Sequence, residues 1–189
     1  MRLDNISEVL DLFEQIGGKG NENCAFFAMQ DQAQVSERGT ILKSVARNVA
    51  NEFTFGVSGL VSSVIKNSNE SQQSIYDELN LEALNNYRHF LINETENSIA
   101  IIPMLFKGSI ILRWKVEDAQ VFHGCGRVIP KNLIKKIDVT KFSFLTPTIR
   151  GVRFDLIDGS KLGFMIATNV KTLPYHIENF KRFNKKYKR

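Results

Sequence analysis

Residues 152–168 read VRFDLIDGSKLGFMIAT. Two apolar, strand-like runs flank Asp158, Gly159 and Ser160. Asp-Gly between alternating apolar residues is the strongest short-range hairpin signal, because a tight turn needs a residue that accepts a positive φ. The spacing predicts antiparallel strands over 152–157 and 161–168. Turn chemistry explains Asp155 and Asp158 without a catalytic role.

Toward the C-terminus the period changes to that of a helix. Leu173, Ile177, Phe180 and Phe183 mark one apolar face. Thr172 is the expected N-cap, and Pro174 falls in the first turn, where its missing N–H costs nothing. Lys181, Arg182, Lys185, Lys186, Lys188 and Arg189 crowd the far end, against the negative pole of the helix dipole; Glu178 is the single acid in this helix.

Toward the N-terminus, short β-rich runs separated by turn signals extend back to residue 88. They fall at 90–93, 98–105, 109–117, 120–122 and 133–144. The third alternates most clearly, with Ile110, Leu112, Trp114 and Val116 on one face and Ile111, Arg113 and Lys115 on the other. Ile134 and Ile137 imply a kink or bulge in the fifth. Residues 88–189 are thus expected to form a basic antiparallel β-domain of about seven strands closed by a helix.

Residues 1–87 read as a mainly helical region. Ile6, Val9, Leu10, Phe13 and Ile16 line one face of a helix over 5–16. Asn5 or Asp4 can cap it, with Glu8 three positions after Asn5 as in a capping box, and Gly17-Gly18 ends it. The glycines of 17–24 lack the phosphate-loop pattern, so this stretch is expected to be a flexible connection. Residues 25–35 fit either a strand or irregular chain. From about Thr40, Ile41, Leu42, Val45, Val49 and Phe53 predict a second helix. Val57, Leu60, Val61 and Val64 continue the helical spacing after a break near Phe55-Gly56, as a buried pair or as an amphipathic surface for a membrane or partner. Residues 66–74 form a polar linker. The whole is an α+β chain.

Charge divides along the same line. Residues 1–87 hold six Lys/Arg and twelve Asp/Glu, net −6, whereas residues 88–189 hold nineteen and eight, net +11. Either the acidic half neutralises the basic half internally, or the basic half faces an anionic partner. At 43% hydrophobic and 24% charged residues, the composition is that of a globular chain rather than a disordered one. No apolar run is long enough to span a bilayer and no signal peptide is legible. Cys24 and Cys125 form no metal or redox spacing, so reduced thiols and a cytoplasmic location are expected, with attachment to a membrane surface as the alternative.

No catalytic chemistry assembles. His89, His123 and His176 lack metal-ligand spacing, His123 and Cys125 alone rarely suffice for zinc, and Ser58 has no nucleophile elbow. A protein without enzymatic activity or cofactor is expected. The candidate site is a basic face for an anion or partner, drawn from Lys107, Arg113, Lys115, Lys135, Lys136, Lys141, Arg150, Arg153, Lys181, Arg182, Lys185 and Lys186. The plainer alternative is a solvated basic surface.

Ile129-Pro130-Lys131 with Leu133 to Ile137, the hairpin at 152–164, and His176 to Phe180 together resemble the pleckstrin-homology-like superfamily, and most its bacterial form. The resemblance covers about 100 of the 189 residues and is one of pattern. It implies a partly open barrel of two near-orthogonal sheets, plugged by the helix, that recognises phosphoinositides, peptides or protein surfaces. The loop where lipid-binding members carry basic residues is Glu94-Thr95-Glu96 here, which would repel phosphate. A basic string, Lys107, Arg113 and Lys115, comes one loop later. Phe180 or Phe183 takes the place of the Trp that many members keep in the helix. The leading expectation is binding of a protein or peptide. An anionic membrane surface and nucleic acid follow, and a homo-oligomer is a further expectation.

Overall fold

The computed structural model describes residues 2–30, 75–106, 119–141 and 148–188. Helix α1 (Ile6–Gln15) begins where the Asn5 side chain accepts the Ser7 N–H at 3.1 Å. Glu8 reaches back past the cap to the Arg2 N–H at 2.7 Å. Gly17, at φ +80°, turns the chain out of the helix, and the Gly18 N–H closes on the Phe13 carbonyl at 2.9 Å.

The sheet comprises β1 (Ala25–Gln30), β2 (His89–Glu94), β3 (Ser98–Phe106), β4 (Ala119–Val121), β5 (Arg127–Pro130), β6 (Ile134–Lys141), β7 (Ile149–Leu156) and β8 (Lys161–Ala167). A four-residue helix α2 (Ile75–Glu78) and a 3-10 turn (Leu81–Asn86) precede β2, and α3 (His176–Tyr187) follows β8. The strands run in the order β4-β3-β2-β1-β8-β7-β6, and β5 joins the half of β3 that β4 leaves free. Every pairing between these strands is antiparallel. The architecture is a mixed α+β fold built on an open antiparallel sheet with a C-terminal helix.

This corrects the expectation that the sheet starts at residue 88. Strand β1 lies in its middle, between β2 and β8, so a boundary at 87/88 cuts the sheet between neighbouring strands. The stretch was ambiguous because β1 is buried on both faces and reads as an apolar run without alternation. Phe26 and Ala28 enter one core; Ala25, Phe27 and Met29 enter the other.

The two cores flank the central strands. Residues Val9, Leu12 and Phe13 of α1 cover one face with Leu3, Val170 and Leu173. Phe180 and Phe183 of α3 cover the other, with centroids 5.4 and 4.9 Å from Phe26. The hairpin predicted around Gly159 is present, with Gly159 at φ +88°.

Three local expectations need correction. Helix α3 starts at His176 rather than near Thr172, because 171–175 form turns and Tyr175 precedes the helix without a side-chain cap. The loop at 17–24 is tied down: Asn21 exchanges hydrogen bonds with Asn93, 3.1 and 2.8 Å long, and donates to the Glu94 carbonyl at 2.8 Å. Residues 127–130 form strand β5, which no alternation signalled. The expected irregularity in β6 is a register shift between Ile134 and Lys136. The helix from Thr40, the linker at 66–74, the strand at 109–117 and the chain at 142–147 lie outside the described residues. No helix among the described residues is long and apolar enough to cross a membrane.

Candidate partner interface

Among the described residues, several of the basic residues singled out in the sequence are paired with carboxylates. Lys136 and Arg153 belong to a charged lattice across β6 and β7, where Asp138 stands opposite Arg153 and Lys136 opposite Asp155. Arg153 reaches Asp138 at 2.9 Å and Asp155 at 2.8 Å, and Lys136 pairs with Asp138. Two cations and two carboxylates cancel, so this part of the sheet carries no net charge to offer.

On α3, Lys181 pairs with Glu178 at 2.6 Å, and Arg182 donates to the side chain of Asn23. Arg150 donates to the Ile149 carbonyl at 3.0 Å. Lys135, Lys141 and Lys185 are exposed, and none forms an ion pair with a carboxylate of the described residues. Lys107, Arg113 and Lys115 lie outside the described residues.

Lys186 turns inward to Glu94. This carboxylate ends β2, is 1% exposed, and receives Lys131 Nζ and Lys186 Nζ, both at 2.6 Å, on Oε1. The Tyr187 hydroxyl donates to the same oxygen. Burial pushes the Glu94 carboxyl up, but the hydrogen bonds from Lys131, Lys186 and Tyr187 outweigh it and hold the group below its ordinary value. Burial lowers Lys186, and its bond to Glu94 overrides that and raises it. Burial and the Glu94 contact move the Tyr187 hydroxyl up to about 12. The Cys24 thiol beside this cluster is raised by burial and by Glu94, which keeps it protonated rather than nucleophilic.

The acid expected to repel phosphate is therefore neutralised within the fold. Glu96, its neighbour in the turn, stays exposed. Glu94 was hidden in the sequence because its partners lie 37 and 92 positions away.

Two polar residues of α3 were also passed over. His176 is wedged between β1 and β8: its Nδ1 accepts the Phe27 N–H at 3.0 Å, and its Nε2 lies 2.7 Å from the Ala167 carbonyl. The tautomer that fits donates from Nε2. Asn179 donates to the carbonyls of Glu22 and Ala25 at 2.6 and 2.9 Å. Among the described residues the ladder between β1 and β8 is paired only at Met29–Met165 and Gln30–Phe164, so these side chains serve the β1 backbone where β8 does not. Their signal in the sequence was polar residues on the same stripe as Phe180 and Phe183.

Helix α3 also reaches the end of the sheet. Among the described residues β6 pairs along one side with β7, and its other side meets a single parallel bridge between Val139 and Lys188. Lys135 sits at the register shift of this edge strand and Lys141 at its end. The described residues contain no group of three or more His, Cys, Asp or Glu placed to hold a metal ion. Comparison of the chain with protein-family models, curated proteins and solved structures finds no match.

Proposed function

We propose that the chain is a PH-like recognition module without enzymatic activity, which binds an extended acidic segment of a protein partner along the outer edge of β6. The antiparallel path from β4 to β6, with a C-terminal helix over one core, supports the PH-like reading because it suits a partly open barrel with a helical plug. The carrying observation is the edge itself. Among the described residues strand β6 ends the sheet, and the exposed lysines without a described carboxylate partner include two on this strand and one on α3, the helix that contacts it.

An edge strand offers backbone donors and acceptors to any incoming strand, and extended peptides use this by adding to the sheet. Lysines on the edge oppose promiscuous pairing. They also select for a segment that brings carboxylates, since charge complementarity favours the acidic partner and penalises the basic one. Compensation of Lys136, Arg153, Lys181 and Lys186 within the fold argues against a broad phosphate-binding face.

The test is binding of labelled extended peptides with carboxylates at alternate positions, alongside anionic-lipid vesicles and duplex DNA. The acidic peptides should bind in a salt-sensitive manner, and K135E/K141E should weaken them by about tenfold or more with an unchanged melting temperature. Binding of the vesicles or DNA with no binding of the peptides overturns the proposal, as does a K135E/K141E protein that binds the peptides as the wild type does.

A further inference from the structure

We infer that the last turn of α3 is a latch over the β6 edge, held shut by the Glu94 carboxylate. The inference rests on the reading of β6 as the recognition edge and names how that edge is regulated. After Tyr187 the chain leaves the helix in extended conformation, with Lys188 at φ −70° and ψ 126°, and Lys188 bridges Val139 in the middle of β6. An incoming strand needs the side of β6 that this bridge occupies.

The position of Lys188 is set by the two residues before it. Lys186 and Tyr187 both bond to Glu94 Oε1, while Lys131 holds the same oxygen from the chain entering β6. Glu94 Oε2 is buried and has no hydrogen-bond partner, so the grip of Glu94 on the turn passes through one oxygen. The body of α3 is secured elsewhere, by His176, Asn179, Phe180 and Phe183. The last turn is held by the Glu94 contacts, the Lys188 N–H to the Asn184 carbonyl at 2.7 Å, the packing of Tyr187 on Phe183 at 4.8 Å and on the edge of the core, and the Val139 bridge. It can open while the helix stays docked.

Electrostatics gives the latch a direction. Lys131 and Lys186 share one carboxylate oxygen, and without that negative charge they repel each other. An acidic segment arriving at β6 offers Lys186 a competing carboxylate, because this ammonium is half exposed at 55% whereas Glu94 is enclosed. The partner thus draws the latch open by the same chemistry through which Lys135 and Lys141 select it.

The experiment is hydrogen exchange on the full chain carrying Glu94→Gln, read segment by segment. Amides of β6 should exchange about tenfold faster than in the wild type, while those at 176–183 keep their protection. Unchanged exchange in β6, or an equal rise throughout α3 and the sheet, overturns the latch. Lys186→Met, which leaves Glu94 its Lys131 partner, gives the same readout should Glu94→Gln unfold. Exchange needs no ligand, so the two ideas fail separately. Faster β6 exchange without peptide binding leaves the latch standing and removes the recognition reading. Peptide binding with unchanged exchange does the reverse.

Discussion

The His176 imidazole takes the Phe27 N–H on Nδ1 at 3.0 Å, in the place where a strand partner would normally stand. It is fully buried, and burial drives its pKa down to about 4, with the Ala167 carbonyl pulling weakly the other way. The native fold therefore holds it neutral. An unfolded chain takes up its proton near pH 6.5, and the folded chain only near 4, so the unfolded state gains between those values. Stability from this residue should be complete above pH 6.5 and fall as pH drops toward 4, by on the order of 3 kcal/mol. Urea denaturation at a series of pH values measures it. In His176→Leu the part of this slope due to His176 should vanish. That variant should also lose about 2–4 kcal/mol at pH 7, because the Phe27 N–H and the Ala167 carbonyl lose their partner.

Asp158 fastens the β7–β8 turn to the start of α2. Its Oδ1 accepts from Ser160 N and Oγ at 2.9 and 2.6 Å, and its Oδ2 accepts the Ile75 N–H at 2.8 Å. Burial raises its carboxyl, and hydrogen bonds from Ser160, Ile75 and Tyr76 outweigh that and lower it. Its contribution is present above the ordinary carboxyl range and is lost as pH falls through the lowered value. Asp158→Ala should cost about 1 kcal/mol, in the manner of a lost helix cap, and should raise amide exchange in α2 more than in β7.

Gly159 turns the same hairpin at φ +88°. An L side chain pays for that conformation, so Gly159→Ala should destabilise by about 1–2 kcal/mol in thermal or urea unfolding. Gly124 has no positive φ, and an added Cβ there meets nothing within 4 Å. Gly124→Ala should be nearly neutral.

A chain consisting of residues 88–189 lacks β1 and leaves β2 and β8 with bare edges where Leu91, Ile92, Met165 and Ile166 are buried in the full sheet. It should show no cooperative unfolding transition and should aggregate. Addition of a synthetic peptide covering residues 2–30 should restore part of the near-ultraviolet signal.

Legibility in the sequence followed the range of the forces involved. The β7–β8 hairpin, the β2–β3 turn and the apolar stripe of α3 rest on local rules of turn and period, and they could be read. Strand β1 could not, since burial on both faces erased the alternation that marks a half-exposed strand. The start of α3 was misplaced because Thr172 and Pro174 carry the usual opening signals, while the turns at 171–175 place Leu173 and Tyr175 against the core that α1 covers. The internal pairing of several cations was illegible for a different reason. Net charge can be counted along a chain, but Asp138 beside Lys136 and Arg153, and Glu94 beside Lys131 and Lys186, become neighbours only after folding.

The place of β1 also bears on how the protein is made. Met29 leaves the ribosome before its sheet partner Met165, with β2 through β7 emerging between them. Until β8 and α3 arrive, the β1 backbone that His176 and Asn179 later serve has no partner there, and Phe26 lacks the aromatic rings that flank it. Such long-range closure slows folding. The nascent chain must therefore carry an unfinished sheet, apolar on both faces, until β8 and α3 have emerged.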